Sequence, residues 1–232
     1  MEYKEKRFEE DIESYLLTFG GYIKGNQLTY DRNKAVDMVK LIEFIQATQP
    51  KQWDRYIKTY KEEADKKLYK RFNEEVEVNG LLHVLRNGIN DKGVMLKIAY
   101  FRPESTLNPE VIERYNKNIL TCTRQFKYST ENENSIDMAL SLNGIPIVAI
   151  ELKNQITGQS VENGKMQFMY DRNPRENCFQ FNKRFLVYFA VDLYEVYMTT
   201  KLKGKNTFFL PFNQGSNGAG NVGGAGNPEN PD

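Results

Sequence analysis

"SIDMALSLNGIPIVAIELKN", residues 135–154, decides the architecture. Two apolar runs at strand spacing flank Asn143-Gly144, a dipeptide that favours a tight hairpin turn. The second run, Ile147-Val148-Ala149-Ile150, reads as a buried strand, yet it ends on Glu151 and Lys153. The first run carries one acid, Asp137, between Ile136 and Met138. Alternate strand residues share a face, so Ile147, Ala149, Glu151 and Lys153 point one way while Val148, Ile150 and Leu152 point the other. A carboxylate at Asp137 is costly to bury unless it is paired or metal-bound.

The turn sets a geometric condition. A plain two-residue turn at Asn143-Gly144 would set Asp137 against Ile150 and leave Asp137 and Glu151 on opposite faces. A shared site therefore requires an odd-length loop or a bulge near Gly144. Pro146, with no N–H to give the ladder, marks the irregular rung.

Two acids and a lysine on adjacent strands suit metal-assisted phosphodiester hydrolysis. The carboxylates hold Mg²⁺ through oxygen and leave positions for water and phosphate, while the lysine offsets developing charge. The triplet alone is weakly specific. Glu-x-Lys arises by chance about once in a chain of this size, and Glu2-Tyr3-Lys4 matches too. The apolar strand and the neighbouring Asp137 single out the second copy, although spacing also allows a structural ion pair between Glu151 and Lys153. Gln167 and Tyr170, on the helix after the Glu-x-Lys strand, can reach a phosphate or the edge of the site, and Tyr170 reads equally as core. Glu9 and Glu13 on the first helix can add a carboxylate, against the simpler reading of an exposed helix face. Arg172 and Arg175, in "DRNPREN", read as turn caps with local ion pairs or as phosphate contacts.

Outward from the hairpin, helices come first. Phe8, Ile12, Tyr15, Leu16 and Phe19 recur at helical spacing and stop at Gly20-Gly21, giving a helix over 5–19. "KAVDMVKLIEFIQATQP" gives a second helix closed by Pro50. A third, "WDRYIKTYKEEADKKLYKRFNEEVE", buries Trp53, Tyr56, Ile57, Tyr60, Ala64 and Leu68. "LLHVLRNG" and "VMLKIAYF" read as paired strands around "NGINDKG", and "TCTRQFKYS" as a further strand. After the Gly158 turn, "SVENGKMQFMYDR" is a helix capped by Ser160. "RFLVYFAV" and "EVYMTTKL" form another hairpin, and "TFFLPFN" is the last strand. The order predicts an α+β or mixed α/β fold. Residues 1–213 make the folded domain, and the Gly- and Asn-rich 214–232 make a flexible linker to something further.

Composition excludes several classes. In 232 residues, 40% are hydrophobic and 27% charged, and no run approaches the roughly 20 apolar residues of a membrane span. The charged N-terminus lacks a secretory apolar core, and two cysteines, Cys122 and Cys178, suit a reducing cytoplasm. One histidine, His83, argues against zinc chemistry. A net charge of +1 provides no global pull on nucleic acid, leaving local patches: Lys66, Lys67, Lys70 and Arg71, then Lys201, Lys203 and Lys205. Taken singly, each patch reads first as a solvated face.

Across this background, "FIQATQPKQW", "GLLHVLRNG", "AYFRPESTLNPE", "LTCTRQFKYS", "DRNPREN", "VYFAVDLYEVYMTTKLKG" and "FLPFNQGSNGAGN" join the hairpin in a resemblance. The chain resembles the N-terminal region of the R subunit of type I restriction enzymes. The resemblance implies a PD-(D/E)xK nuclease core, a mixed sheet flanked by helices, acting as a type I site-specific deoxyribonuclease. Asp137, Glu151 and Lys153 match its catalytic triplet, and Asp137, Glu151 and the backbone carbonyl of Leu152 would hold Mg²⁺, with Mn²⁺ substituting. Gln167 matches the glutamine of the family's Gln-x-x-x-Tyr helix, but here Tyr170 stands one residue early and Asp171 takes the tyrosine's place. Glu9 matches the acid of the first helix. The resemblance further implies double-stranded DNA and the modification and specificity (M and S) subunits as partners, in a bacterial cytoplasm. ATP would act only through motor domains lying beyond the linker. The alternative is a catalytically inactive scaffold that binds DNA or docks subunits.

Overall fold

The computed structural model describes residues 2–105, 107–154 and 158–212; the predicted linker, 214–232, lies outside them. Helix α1 spans Glu2–Phe19 and ends at Gly20-Gly21, where Gly21 takes the positive φ of 71° that closes helices. A short strand, β1 (Ile23–Lys24), comes next. Helix α2 (Met38–Thr48) begins later than its apolar pattern suggested, because the Asp37 side chain caps it by accepting from the Lys40 N–H. Pro50 opens α3 (Pro50–Tyr60), where its missing N–H costs nothing.

The long third helix expected from the sequence is two. Lys61 turns to φ 51°, a single 3₁₀ turn covers Lys61–Glu63, and α4 (Ala64–Asn79) sets off afresh. The break lets Trp53 and Tyr56 of α3 and Leu68, Phe72 and Val76 of α4 converge on one core, joined by Leu41, Phe44 and Ile45 of α2. Tyr56 and Tyr60 both donate hydroxyl bonds to Asp91 and so tie the end of α3 to a residue some thirty positions on.

"LLHVLRNG" is not a strand but helix α5 (Leu81–Asn87). Leu81, Val84 and Leu85 recur every three to four residues and face this helical core, and Gly80 and Gly88, at φ 81° and 78°, bound it. The hairpin therefore comes one segment later, as β2 (Ile89–Asp91) and β3 (Val94–Leu96) around Lys92-Gly93. The segment before the main sheet carries a helix the sequence reading did not assign, α6 (Pro109–Asn116), capped by Asn108.

The main sheet adds β4 (Leu120–Lys127), β5 (Ser135–Leu142), β6 (Ile145–Leu152), β7 (Val187–Val191), β8 (Val196–Thr199) and β9 (Leu210–Pro211). Its seven strands run in the order β1-β4-β5-β6-β7-β8-β9. The pairs β4·β5, β5·β6, β7·β8 and β8·β9 are antiparallel, while β1·β4 and β6·β7 are parallel. The parallel pair β6·β7 needs a crossover, supplied by α7 (Val161–Met166) and a π turn at Gln167–Asp171. Ser160 stands at the cap, its N–H donating to Asn163 Oδ1 at 2.9 Å. One sheet face packs Met138, Leu140, Ile150 and Leu152 against Phe8, Ile12 and Leu16 of α1. The other packs Ala139, Ala149, Tyr188 and Ala190 against Val161 and Phe168. The result is a mixed α/β fold.

The hairpin meets the condition set by its sequence. Leu142 pairs with Ile145 and Ser141 with Pro146, but Leu140 pairs with Val148, so Ile147 is the extra residue of a bulge. Asn143 and Gly144 form the turn at φ 51° and 81°, the primed geometry that matches strand twist. A Cβ on Gly144 would stand 2.2 Å from the backbone oxygen of Asp37, which also donates its N–H to the Gly144 carbonyl. Gly144→Ala should therefore lower unfolding stability by about 1–3 kcal/mol in urea titration, because strained φ and a backbone clash coincide. An unchanged midpoint would show that the turn relaxes freely.

Candidate active site

Beyond the bulge, Met138 pairs with Ile150 and Ala139 with Ala149. One step further along this register, Asp137 stands across from Glu151 on the same face. Asp137 Oδ2 accepts the Leu152 N–H at 2.8 Å and lies 3.5 Å from Lys153 Nζ. The lysine is buried at its strand end, beneath Gly164 of α7, where an added Cβ would stand 3.6 Å from Lys153 Cγ, ordinary contact, and 3.2 Å from Ala190 Cβ, a tight one. Asp137, Glu151 and Lys153 are thus gathered at the carboxyl end of β6.

Glu151 is fully buried. Arg172 answers its charge: Nε and Nη2 donate to Glu151 Oε1 at 2.9 and 2.6 Å. Burial, then the charge of Asp137, pushes the Glu151 carboxyl up to about 8, against the opposing pull of Arg172 and Lys153. Its other oxygen, Oε2, has no hydrogen-bond partner among the described residues.

A polar cleft of about 500 Å³ opens at Asp137 and Arg172, lined also by Gln167, Asp171 and Glu133–Ser135; the buried Glu151 and Lys153 are not part of its lining. Gln167 is brought to the site, with Oε1 buried and unpartnered. Tyr170 is not: it is 68% exposed and does not line the cleft. The π turn explains this. Its wider i-to-i+5 period brings Asp171 and Arg172 to the cleft with Gln167 and leaves residue 170 outward. Phe168, fully buried against Tyr188 and Phe209, pins the turn; that burial is worth about 2 kcal/mol.

Glu9 also approaches. It is buried and accepts from Gln125 Nε2 at 2.9 Å, while the same nitrogen lies 3.5 Å from Asp137 Oδ1. Burial and then the charge of Asp137 raise the Glu9 carboxyl above its ordinary value. Glu13 is buried too; Arg124 pairs with both acids, at 3.4 Å from Glu9 and 3.3 Å from Glu13, and neither lines the cleft. Gln125 escaped the sequence reading. It sits at φ 46° inside β4, a local strain that gives no composition signal and turns its amide between Glu9 and Asp137. For Arg172 the sequence suggests a turn cap with a local ion pair or a phosphate contact; its partner in the structure is Glu151, 21 residues away.

Elsewhere, the first expected patch proves ordinary. Lys67, Lys70 and Arg71 pair with Glu63, Glu74 and Glu75 along α4, a solvated face. Both cysteines are buried and unbonded, and burial pushes the Cys122 thiol up to about 12. No helix among the described residues is long and apolar enough to cross a membrane.

The donor set fits a hard divalent cation. Buried acceptor oxygens without donors, Glu151 Oε2 and Gln167 Oε1, are what a cation satisfies, and Asp137 Oδ1 has only the long contact to Gln125. Among the described residues no three His, Cys, Asp or Glu side chains form a ready metal cage.

A mixed sheet flanked by helices, with an acid on one central strand and Glu-x-Lys on the next, is consistent with the nuclease-like class of α/β folds. The family model of the type I restriction enzyme R protein N terminus matches residues 9–207, and the chain belongs to that family. A search of curated proteins gives no match.

Proposed function

We propose that this chain is the Mg²⁺-dependent DNA endonuclease part of a type I restriction enzyme R subunit, a type I site-specific deoxyribonuclease. The observation that carries the reading is the bulge at Ile147, which turns Glu151 onto the face of Asp137 beside Lys153. Mg²⁺, or Mn²⁺ in its place, would be held by Asp137, Glu151 and the carbonyl of Leu152. It would polarise the phosphoryl oxygen and acidify a bound water. The chain's own residues do the rest. Lys153 places a positive charge beside the phosphate position, and the Leu152 N–H fixes the Asp137 carboxylate through Oδ2. Gln167 contributes an unpartnered amide oxygen at the cleft, and Glu9 adds negative charge behind Asp137.

In this reading the substrate is double-stranded DNA and the M and S subunits are the assembly partners, in a bacterial cytoplasm. ATP acts through motor domains encoded beyond these residues. The test is restriction of unmodified plasmid by the full complex with Mg²⁺ and ATP, comparing wild type with Lys153→Met. Loss of cleavage with ATP hydrolysis retained is expected. Undiminished cleavage would leave the non-catalytic scaffold as the better account.

A further inference from the structure

Arg172 is the one charged group hydrogen-bonded to Glu151 among the described residues, and its own placement is unusually complete. Nη1 donates to the Tyr128 hydroxyl at 3.2 Å, Nη2 to the Ser135 carbonyl at 2.9 Å, and Nε and Nη2 to Glu151 Oε1. The side chain is 6% exposed, so these anchors more than solvent decide where its guanidinium points. Tyr128 lies just past β4, Ser135 opens β5, and Glu151 stands near the end of β6: one side chain from the π turn clasps all three. With its donors so committed, Arg172 has little left for a phosphate. Both of its bonds to Glu151 fall on the same oxygen, while Oε2 has no partner.

We infer that Arg172 is a positioning residue of the candidate site: the π turn delivers its guanidinium to Glu151 Oε1, which fixes the carboxylate and reserves Oε2 for a divalent cation. This rests on the nuclease reading. Groups that orient a metal-binding carboxylate from behind typically govern metal affinity by about 10- to 100-fold when removed. Lysine keeps the charge but not the fork, so it should restore part of the effect.

The experiment is calorimetric titration of residues 1–232 with Mn²⁺, for wild type, Arg172→Met, Arg172→Lys, Glu151→Gln and the double variant Arg172→Met/Glu151→Gln. Arg172→Met should weaken Mn²⁺ binding about 10- to 100-fold and Arg172→Lys by less. In the double variant the loss should equal that of Glu151→Gln alone, since Arg172 then has no carboxylate to orient. Should Arg172→Met fail to fold, the lysine variant and the double variant, which removes both buried charges together, still decide the matter. A double variant weaker than Glu151→Gln by the full Arg172→Met factor would overturn the inference, because Arg172 would then act independently of Glu151. So would wild-type affinity in Arg172→Met, with the nuclease reading left standing. A wild-type chain that binds no Mn²⁺ would remove that reading, and this inference with it.

Discussion

Replacing Asp137 by asparagine should cut plasmid cleavage by the full complex on the order of 10³-fold while leaving the chain as stable as before, or more so. The rate loss reflects the several kcal/mol that a metal site contributes to the transition state, each 1.4 kcal/mol being about tenfold. Unchanged stability comes from the neighbours. Asparagine keeps an oxygen to accept the Leu152 N–H. What it removes is a negative charge that presses on Glu151 and Glu9, both raised in part by Asp137. The pair with Lys153 at 3.5 Å is lost, but the like-charge repulsion around it is relieved. Sites of this kind hold their charges against the stability of the fold, and neutralising one returns stability at the cost of activity. Cleavage by Asp137→Asn within tenfold of wild type would dismiss the site. A large drop in denaturation midpoint would instead give Asp137 a structural role.

Period-two alternation made β5 and β6 legible, because each face of these strands has its own apolar cluster and a register slip would have exposed one. The irregularity near Gly144 was legible for a chemical reason: Asp137 and Glu151 share a face only with an odd-length loop or a bulge, and the chain takes the bulge. Helix α5 was misread because Leu81, Leu82, Val84 and Leu85 make a short apolar run that fits either period, and the glycines on both sides bound a helix as well as a strand. The break at Lys61 was hidden because a lysine in the left-handed region carries no turn signature. The same holds for Gln125 and for the π turn. Each of these last two is a backbone choice imposed by packing, and each delivers a side chain to the candidate site. Hence Asp137, Glu151 and Lys153 could be read from strand pattern, whereas Arg172 and Gln125 had to be seen. The tyrosine standing one residue early belongs to the same irregularity, since the π turn carries Tyr170 out to solvent and leaves Asp171 and Arg172 lining the cleft with Gln167.

Metal-free protein should become less stable as pH rises from about 5 to 9. Glu151 binds its proton more tightly in the folded chain than in the unfolded one, where its value is 4.5, because burial raises it to about 8. The stability this proton confers is therefore full below the unfolded value and is lost as pH climbs through the folded one. Glu9, raised by burial and by Asp137, slopes the same way. Glu133 slopes oppositely but in another window. Arg32 and then Lys127 lower it to about 2, so its contribution fades only on strong acidification. Across the neutral range Glu151 should dominate, with a decline on the order of a few kcal/mol. Urea midpoints in EDTA at pH 5, 7 and 9 measure it, and Glu151→Gln supplies the control. The amide oxygen still accepts from Arg172 but has no proton to lose, so the slope should flatten even if the overall midpoint falls. Equal slopes in the two proteins would mean that Arg172 keeps Glu151 ionised throughout, and that the carboxylate enters the site already charged.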